Sequence, residues 1–206
     1  MKRSNSLPHY NNITKCRVCD STKVTPVVKI AKQFIASTFV KTNKNNPKAK
    51  IKIPMTLMLC RKCGLAQLKE TVMPDFLYES YFYRSNVSNT MNRDLRDVVY
   101  DVSSRIKLKK DDSILDIGCN DGLMLTFFPK YLKRVGIDPA KNIDWSHLDK
   151  SIKIVNDYFP SPKLKNNSFK IITTCAMFYD LNDPNAAVDQ IKQLLTQDGI
   201  LCVQVS

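Results

Sequence analysis

Ile114-Leu115-Asp116-Ile117-Gly118-Cys119-Asn120-Asp121-Gly122-Leu123-Met124-Leu125 reads as an apolar strand that runs into D-x-G-x-x-x-G and then into a helix. Glycine accepts the left-handed backbone of a sharp turn and lets a ligand come close to the main chain. Gly118 and Gly122 therefore mark a cradle at the strand's C-terminal end. A dinucleotide-binding turn would carry G-x-G-x-x-G and aim backbone N–H groups at a pyrophosphate. That spacing is absent, and Asp116, Asn120 and Asp121 stand in the turn instead. Acidic and polar groups suit a ligand with an ammonium and a sulfonium better than one with phosphates.

Further along, Arg134-Val135-Gly136-Ile137-Asp138 is a second short strand that ends in an acid, and a carboxylate there can accept both hydrogen bonds of a ribose diol. Asp157, ahead of Tyr158 and Phe159, follows a third strand and is placed to meet an adenine amino group beside a ring. Three acids after three successive strands read together as an S-adenosylmethionine site, although each alone is also compatible with a surface carboxylate or a helix cap.

The surrounding pattern alternates. Strands are expected over 113–117, 134–138, 152–155, 169–175 and 200–205, with helices over 123–132 and 184–195, which is the signature of a parallel α/β sheet covered by helices. Asp183 as N-cap, Pro184 at the first helical position and Gly199 beyond the end punctuate the last helix. Ahead of the sheet, Met91, Leu95, Val98, Val99, Val102 and Ile106 form the stripe of an amphipathic helix.

The N-terminal part has a different chemistry. Cys16-Arg17-Val18-Cys19 and Cys60-Arg61-Lys62-Cys63 bracket apolar stretches around 24–30, 34–40 and 51–59. Each C-x-x-C turn offers two thiolates to one edge of a tetrahedron, so Cys16, Cys19, Cys60 and Cys63 are expected to hold a structural Zn2+ with no open coordination position. A redox C-x-x-C is normally single and opens a helix of a βαβ unit, and neither pair has that setting. Cys119, Cys175 and Cys202 lack ligand spacing and are expected as small buried hydrophobes. An aromatic stretch, Phe76-Leu77-Tyr78-Glu79-Ser80-Tyr81-Phe82-Tyr83, is too rich in rings to face water throughout.

Composition sets outer bounds. The chain has 206 residues, enough to bury a core without disulfide staples, and its 43% hydrophobic and 25% charged residues are those of a packed globular protein. No run approaches the ~18 apolar residues of a membrane span, and the start MKRSNSLPHYNN has no apolar stretch for a signal peptidase, so a cytoplasmic protein with no membrane partner is expected. A net charge of +13 favours an anionic partner such as a nucleotide-linked substrate, nucleic acid or a membrane surface. Yet the excess is mostly lysine in asparagine-rich loops such as 43–50, which drift in composition explains equally well. Nucleic acid is the weakest partner: Cys175-Ala176-Met177-Phe178 stands where amino-methylating DNA enzymes carry an N/D-P-P-Y tetrad.

These residues together resemble the S-adenosylmethionine-dependent sugar C-methyltransferases, which join an N-terminal zinc-binding domain to a Rossmann-like class I methyltransferase domain. The likeness covers nearly the whole chain. It rests on the two cysteine knuckles, the second continuing as Gly64-Leu65-Ala66-Gln67-Leu68, on Tyr81-Phe82-Tyr83-Arg84-Ser85, on 116–122, on Gly136-Ile137-Asp138-Pro139-Ala140, on Met177-Phe178-Tyr179-Asp180-Leu181 and on 199–206. It implies methyl transfer to the carbon beside the ketone of a nucleotide-linked keto-sugar. The cofactor positions carried over are Asp116, Gly118, Asn120, Gly122 and Asp138, with Asp157, and Tyr83 lines or covers the pocket.

The family's members are longer and carry an H-E-H motif, catalytic His and Tyr residues and a substrate domain after the strand that ends here at Ser206. The resemblance thus implies a cofactor-binding half, either of a truncated enzyme or of a split one that works with a second polypeptide, and it assigns no catalytic residue here; His9 and His147 do not sit where a base is needed. A zinc-containing scaffold without the reaction is the rival reading. The expected organisation is a flexible arm over 1–14, a zinc-binding domain over 15–70, an aromatic segment and connecting helix over 71–110, and an incomplete methyltransferase sheet over 111–206.

Overall fold

The computed structural model describes residues 9–36 and 51–205. The chain divides into two compact units, residues 1–82 and 83–206. The expected arm residues 1–8, the end of the 34–40 stretch, the 43–50 loop and Ser206 lie outside the described residues.

In the first unit β1 (Tyr10–Asn12) pairs antiparallel with β5 (Glu70–Val72), while β2 (Val24–Phe34), β3 (Lys52–Cys60) and β4 (Ala66–Leu68) form an antiparallel sheet in the order β2-β3-β4. The expectation of a flexible arm reaching residue 14 is corrected here. Tyr10 sits opposite Val72, and the Ile13 amide donates to the Lys69 carbonyl at 2.9 Å. Three residues are too few to show alternation, so backbone pairing builds a strand that the side chains do not announce. Buried Glu70 ties the sheet together, accepting from the Thr56 amide at 2.8 Å and from its hydroxyl at 3.1 Å. A short helix, α1 (Pro74–Tyr78), follows.

The second unit opens with α2 (Asn89–Ser104), capped by Ser88, whose hydroxyl accepts from the Met91 amide. Then come β6 (Ser113–Ile117), α3 (Leu123–Phe127), β7 (Lys133–Asp138), β8 (Ile152–Asn156), β9 (Phe169–Cys175), α4 (Pro184–Leu194) and β10 (Leu195–Gln204). The five strands are all parallel, in the order β10-β9-β6-β7-β8. Side chains alternate across the sheet. Ile114 and Ile171 pack with Leu95, Val99 and Val102 of α2 and with Met124 and Leu125 of α3. Leu115, Ile117, Ile137 and Ile172 pack on the other face with Ile191 and Leu194 of α4. Both faces are covered, as a parallel sheet requires.

Asp183 caps α4 through the Ala186 amide at 3.0 Å with Pro184 at its first position, as expected. Gly199 lies within β10 rather than marking the helix end. The helix expected over 123–132 stops at Phe127, because Pro129 forces Phe128 into extended backbone (ψ 145°). None of the helices among the described residues is long and apolar enough to cross a membrane.

Candidate cofactor and zinc sites

The crossover at β6 places the glycine turn where the sheet's strand order reverses direction, since β9 and β7 flank β6 and later crossovers run to opposite sides. Crevices at such a switch point, outside the carboxyl ends of the strands, are where open α/β sheets bind ligands. Gly118 (φ +73°), Asn120 (φ +49°) and Gly122 (φ +79°) all adopt left-handed backbone. The Gly118 amide donates to the Ile137 carbonyl at 2.9 Å, binding the turn to β7. A Cβ on Gly118 would lie 2.9 Å from Met177 Cγ, so only glycine leaves this cradle open. Gly122 serves packing: a Cβ there would meet Leu148 Cδ1 at 2.6 Å.

Asp116 is buried, and its Oδ1 accepts from the Thr173 hydroxyl at 2.7 Å. Burial raises its carboxyl to about 7; the Thr173 bond opposes the rise and the neighbouring Asp138 charge adds to it. Asp138 is buried at the tip of β7, where Oδ2 accepts from the Asn120 amide and Oδ1 from the Ala140 amide, both at 2.9 Å. Its carboxyl is raised by burial, against those two N–H groups. Two acids thus sit at a single turn, and at Asp138 the Arg84 charge opposes the rise that burial causes.

Asn120 and Asp121 face the start of the unit. Asn120 Oδ1 accepts from the Ser85 amide at 3.2 Å, Asn120 Nδ2 donates to the Tyr83 carbonyl at 3.1 Å, and Asp121 Oδ2 accepts from the Asn86 amide at 2.9 Å. Residues 83–86 are therefore latched onto the glycine turn by their backbone. Arg84 donates to the Tyr83 and Asn142 carbonyls, and burial, then the Asp121 charge, raise the Tyr83 phenol.

The structure brings Asp116, Gly118, Asn120, Asp138 and Tyr83 to this turn, with the Asn120 side chain spent on the latch. Asp157 joins it through its backbone alone: its amide donates to the Asp138 carbonyl at 3.2 Å. Its carboxylate turns into its own loop, accepting from the Ser161 hydroxyl at 2.8 Å and the Tyr158 amide at 2.9 Å. The Ser161 bond leads in lowering that carboxyl. His147 is exposed between β7 and β8. Three contributors were not singled out from sequence. Met177 roofs Gly118, Thr173 holds Asp116, and the Trp145 Nε1 donates to the Asn120 carbonyl at 2.9 Å. For Thr173 a signal existed: Thr173-Thr174 is a buried polar pair that follows the buried apolar Ile171-Ile172 in the same strand.

The cysteine knuckles repeat one geometry. The Cys16 amide donates to the Ser21 carbonyl and the Cys60 amide to the Leu65 carbonyl; the Asp20 amide returns to Cys16 and the Gly64 amide to Cys60. The residue after each pair, Asp20 (φ +54°) or Gly64 (φ +80°), is left-handed. All four sulfurs lie within 4.8 Å of one another, with Cys16–Cys63 and Cys19–Cys60 both at 3.6 Å. A Zn–S bond of ~2.3 Å implies tetrahedral S–S edges of roughly 3.8 Å, so this donor set fits Zn2+. Burial would raise the Cys16 thiol, but the Cys19 and Val18 amides, with Gln67 and Cys63, bring it down to about 6. The thiols Cys119, Cys175 and Cys202 belong to the packing of the α2 face, and burial raises all three.

A left-handed glycine turn at a parallel sheet's switch point, with acids under it, behind a four-cysteine module, defines a methyltransferase fold preceded by a zinc-binding domain. The family model described as "Methyltransferase domain" matches residues 87–206, and one described as "Putative zinc binding domain" matches residues 16–78. The chain belongs to that methyltransferase family. C-methyltransferase NovU of Streptomyces niveus is 24% identical over 199 residues, covering 94% of this chain and 47% of NovU. The uncharacterized methyltransferase C1B3.06c of Schizosaccharomyces pombe is 28% identical over 115 residues, 46% of this chain and 40% of that protein. The matched region spans less than half the length of either relative. Among solved structures, the plantazolicin methyltransferase BpumL in complex with SAH shares 19% identity over 58% of this chain and 49% of that one, with a TM-score of 0.49.

Proposed function

We propose that the chain binds S-adenosylmethionine at the turn between β6 and α3 and serves the C-methylation of a nucleotide-linked keto-sugar. The observation that carries the cofactor is the pairing of Asp116 and Asp138 under Gly118. When bound, the cofactor supplies an electrophilic methyl on a sulfonium. Asp138 accepts from the ribose hydroxyls with the lone pairs its two N–H partners leave. Asp116, raised to about 7 by burial, ionises against the ammonium of the methionine moiety, which replaces the water that burial removed. Gly118 lets that moiety approach the main chain, and Tyr83 covers the pocket. Asp157 is assigned to the adenine edge, which requires its carboxylate to leave Ser161 or its backbone to serve instead.

The acceptor is proposed from the chain's likeness to C-methyltransferase NovU, 24% identical over 94% of this chain. Such a reaction would need a base to take the proton beside the ketone, leaving an enolate carbon as the methyl acceptor. The residues placing the keto-sugar are assigned to a second polypeptide. Isothermal titration of the zinc-loaded chain with S-adenosylmethionine tests the cofactor half: saturable one-site binding supports it, and absence of heat from a folded sample contradicts it. Following loss of the α-proton of a nucleotide-linked keto-sugar by NMR, with the chain alone and with a candidate partner polypeptide added, tests the acceptor.

A further inference from the structure

Gln67 is buried on β4, and its Nε2 is fully enclosed with no hydrogen-bond partner among the described residues. Its amide orientation is fixed. The Arg17 backbone amide and Arg17 Nη1 both point at the other end of the side chain, each 3.2 Å from Oε1. Two donors can face only the oxygen, so the two N–H groups of Nε2 must face away. Arg17 is itself anchored, through Nη1 to the Leu68 carbonyl at 3.0 Å and through Nη2 to the Thr71 hydroxyl. A buried donor left unpaired is costly, and the group on which the Gln67 side chain already acts is the Cys16 thiol. Arg17 directly follows Cys16, and an ionised thiolate is the acceptor this corner gains when metal binds. Four thiolates on Zn2+ carry a double negative charge, which N–H donors and a nearby guanidinium relieve.

We propose that Gln67 is a positioning residue of the zinc site: Nε2 donates to the Cys16 thiolate in the metal-loaded protein, and Arg17 holds the amide in the orientation that permits it. This rests on the zinc reading of the four cysteines. Arg17 and Gln67 thereby join the first knuckle to β4, which follows the second, so metal retention depends on a contact outside the four ligands.

The test uses the full chain loaded with one zinc. Gln67→Met keeps the volume and removes the donor; it is expected to release zinc to a chromophoric chelator about 10- to 100-fold faster than wild type. In the cobalt-substituted protein the same change should move the thiolate-to-cobalt absorption to longer wavelength, since a sulfur without its N–H donor gives up electron density more easily. Should Gln67→Met fold poorly, NMR of wild-type protein loaded with an NMR-active cadmium isotope decides: scalar coupling from the metal to the Gln67 side-chain amide protons supports the proposal. Unchanged release and absorption in Gln67→Met, or no coupling in the cadmium protein, overturns it while leaving the zinc site standing. Wild-type protein that takes up no zinc overturns both.

Discussion

The backbone N–H of Asn120 donates to Oδ2 of Asp138 at 2.9 Å, and this bond fastens the glycine turn after β6 to the tip of β7. Asp138 receives the Ala140 amide on its other oxygen, so the carboxylate shapes the crevice before any ligand arrives. A site built this way has its recognition groups pre-aimed, and little ordering is left for binding.

Replacing Asp138 by Asn should therefore do more than remove a charge. An amide can accept only one of the two backbone donors and turns its own N–H2 toward the other. Affinity for S-adenosylmethionine is expected to fall about 10- to 100-fold, in line with the ~1.5–3 kcal/mol of a hydrogen bond to a charged group. The single tryptophan, Trp145, bonds to the Asn120 carbonyl, so its fluorescence reports the titration.

Gly118→Ala places a Cβ 2.9 Å from Met177 Cγ on backbone at φ +73°. Left-handed backbone costs a non-glycine residue roughly 1–2 kcal/mol before the clash is counted. Thermal unfolding should report destabilisation of at least that size, and Gly118→Ala/Met177→Ala should recover only the steric part.

Much of this was legible in the sequence because chemistry and period coincide there. The acids at Asp116 and Asp138 follow apolar runs short enough to be only strands, and the C-x-x-C pairs declare themselves by spacing. What escaped depended on partners remote in sequence. β1 exists because Val72 lies opposite Tyr10, a relation no local pattern carries. α3 ends early because one proline overrides an apolar stripe that continues to Leu132. The side chain of Asp157 follows Ser161, a nearer partner than any ligand.

Asp116 makes stability depend on pH with a definite sign. Its folded carboxyl is raised from 3.8 to about 7, so between those values the folded protein holds more protons than the unfolded chain. Stability from this group is full below pH 3.8 and is lost as pH rises toward 7. Asp116→Asn should therefore be more stable than wild type above pH 7, by up to about 4 kcal/mol. The two should converge toward pH 4 in denaturant titrations.

The latch on residues 83–86 is testable by amide exchange. Asn120→Ala removes the acceptor of the Ser85 amide and leaves Asp121 on the Asn86 amide. Exchange at Ser85 should accelerate by at least about tenfold, the equivalent of a ~1.4 kcal/mol hydrogen bond. Asn86 should change less.

Removing zinc with a chelator should strip exchange protection from β2–β4, since a structural site supplies folding energy where the core is thin. Protection in β6, β7 and β9, buried among Ile114, Ile137 and Ile171, should survive.

If the turn between β6 and α3 holds S-adenosylmethionine, a crystal of the zinc-loaded chain grown with that molecule will show it there. Density is expected for the nucleoside with its ribose hydroxyls within hydrogen-bond distance of the Asp138 carboxylate and its amino acid end over Gly118 toward Asp116. An empty crevice, or one filled by Met177, at saturating concentration of the ligand would contradict it.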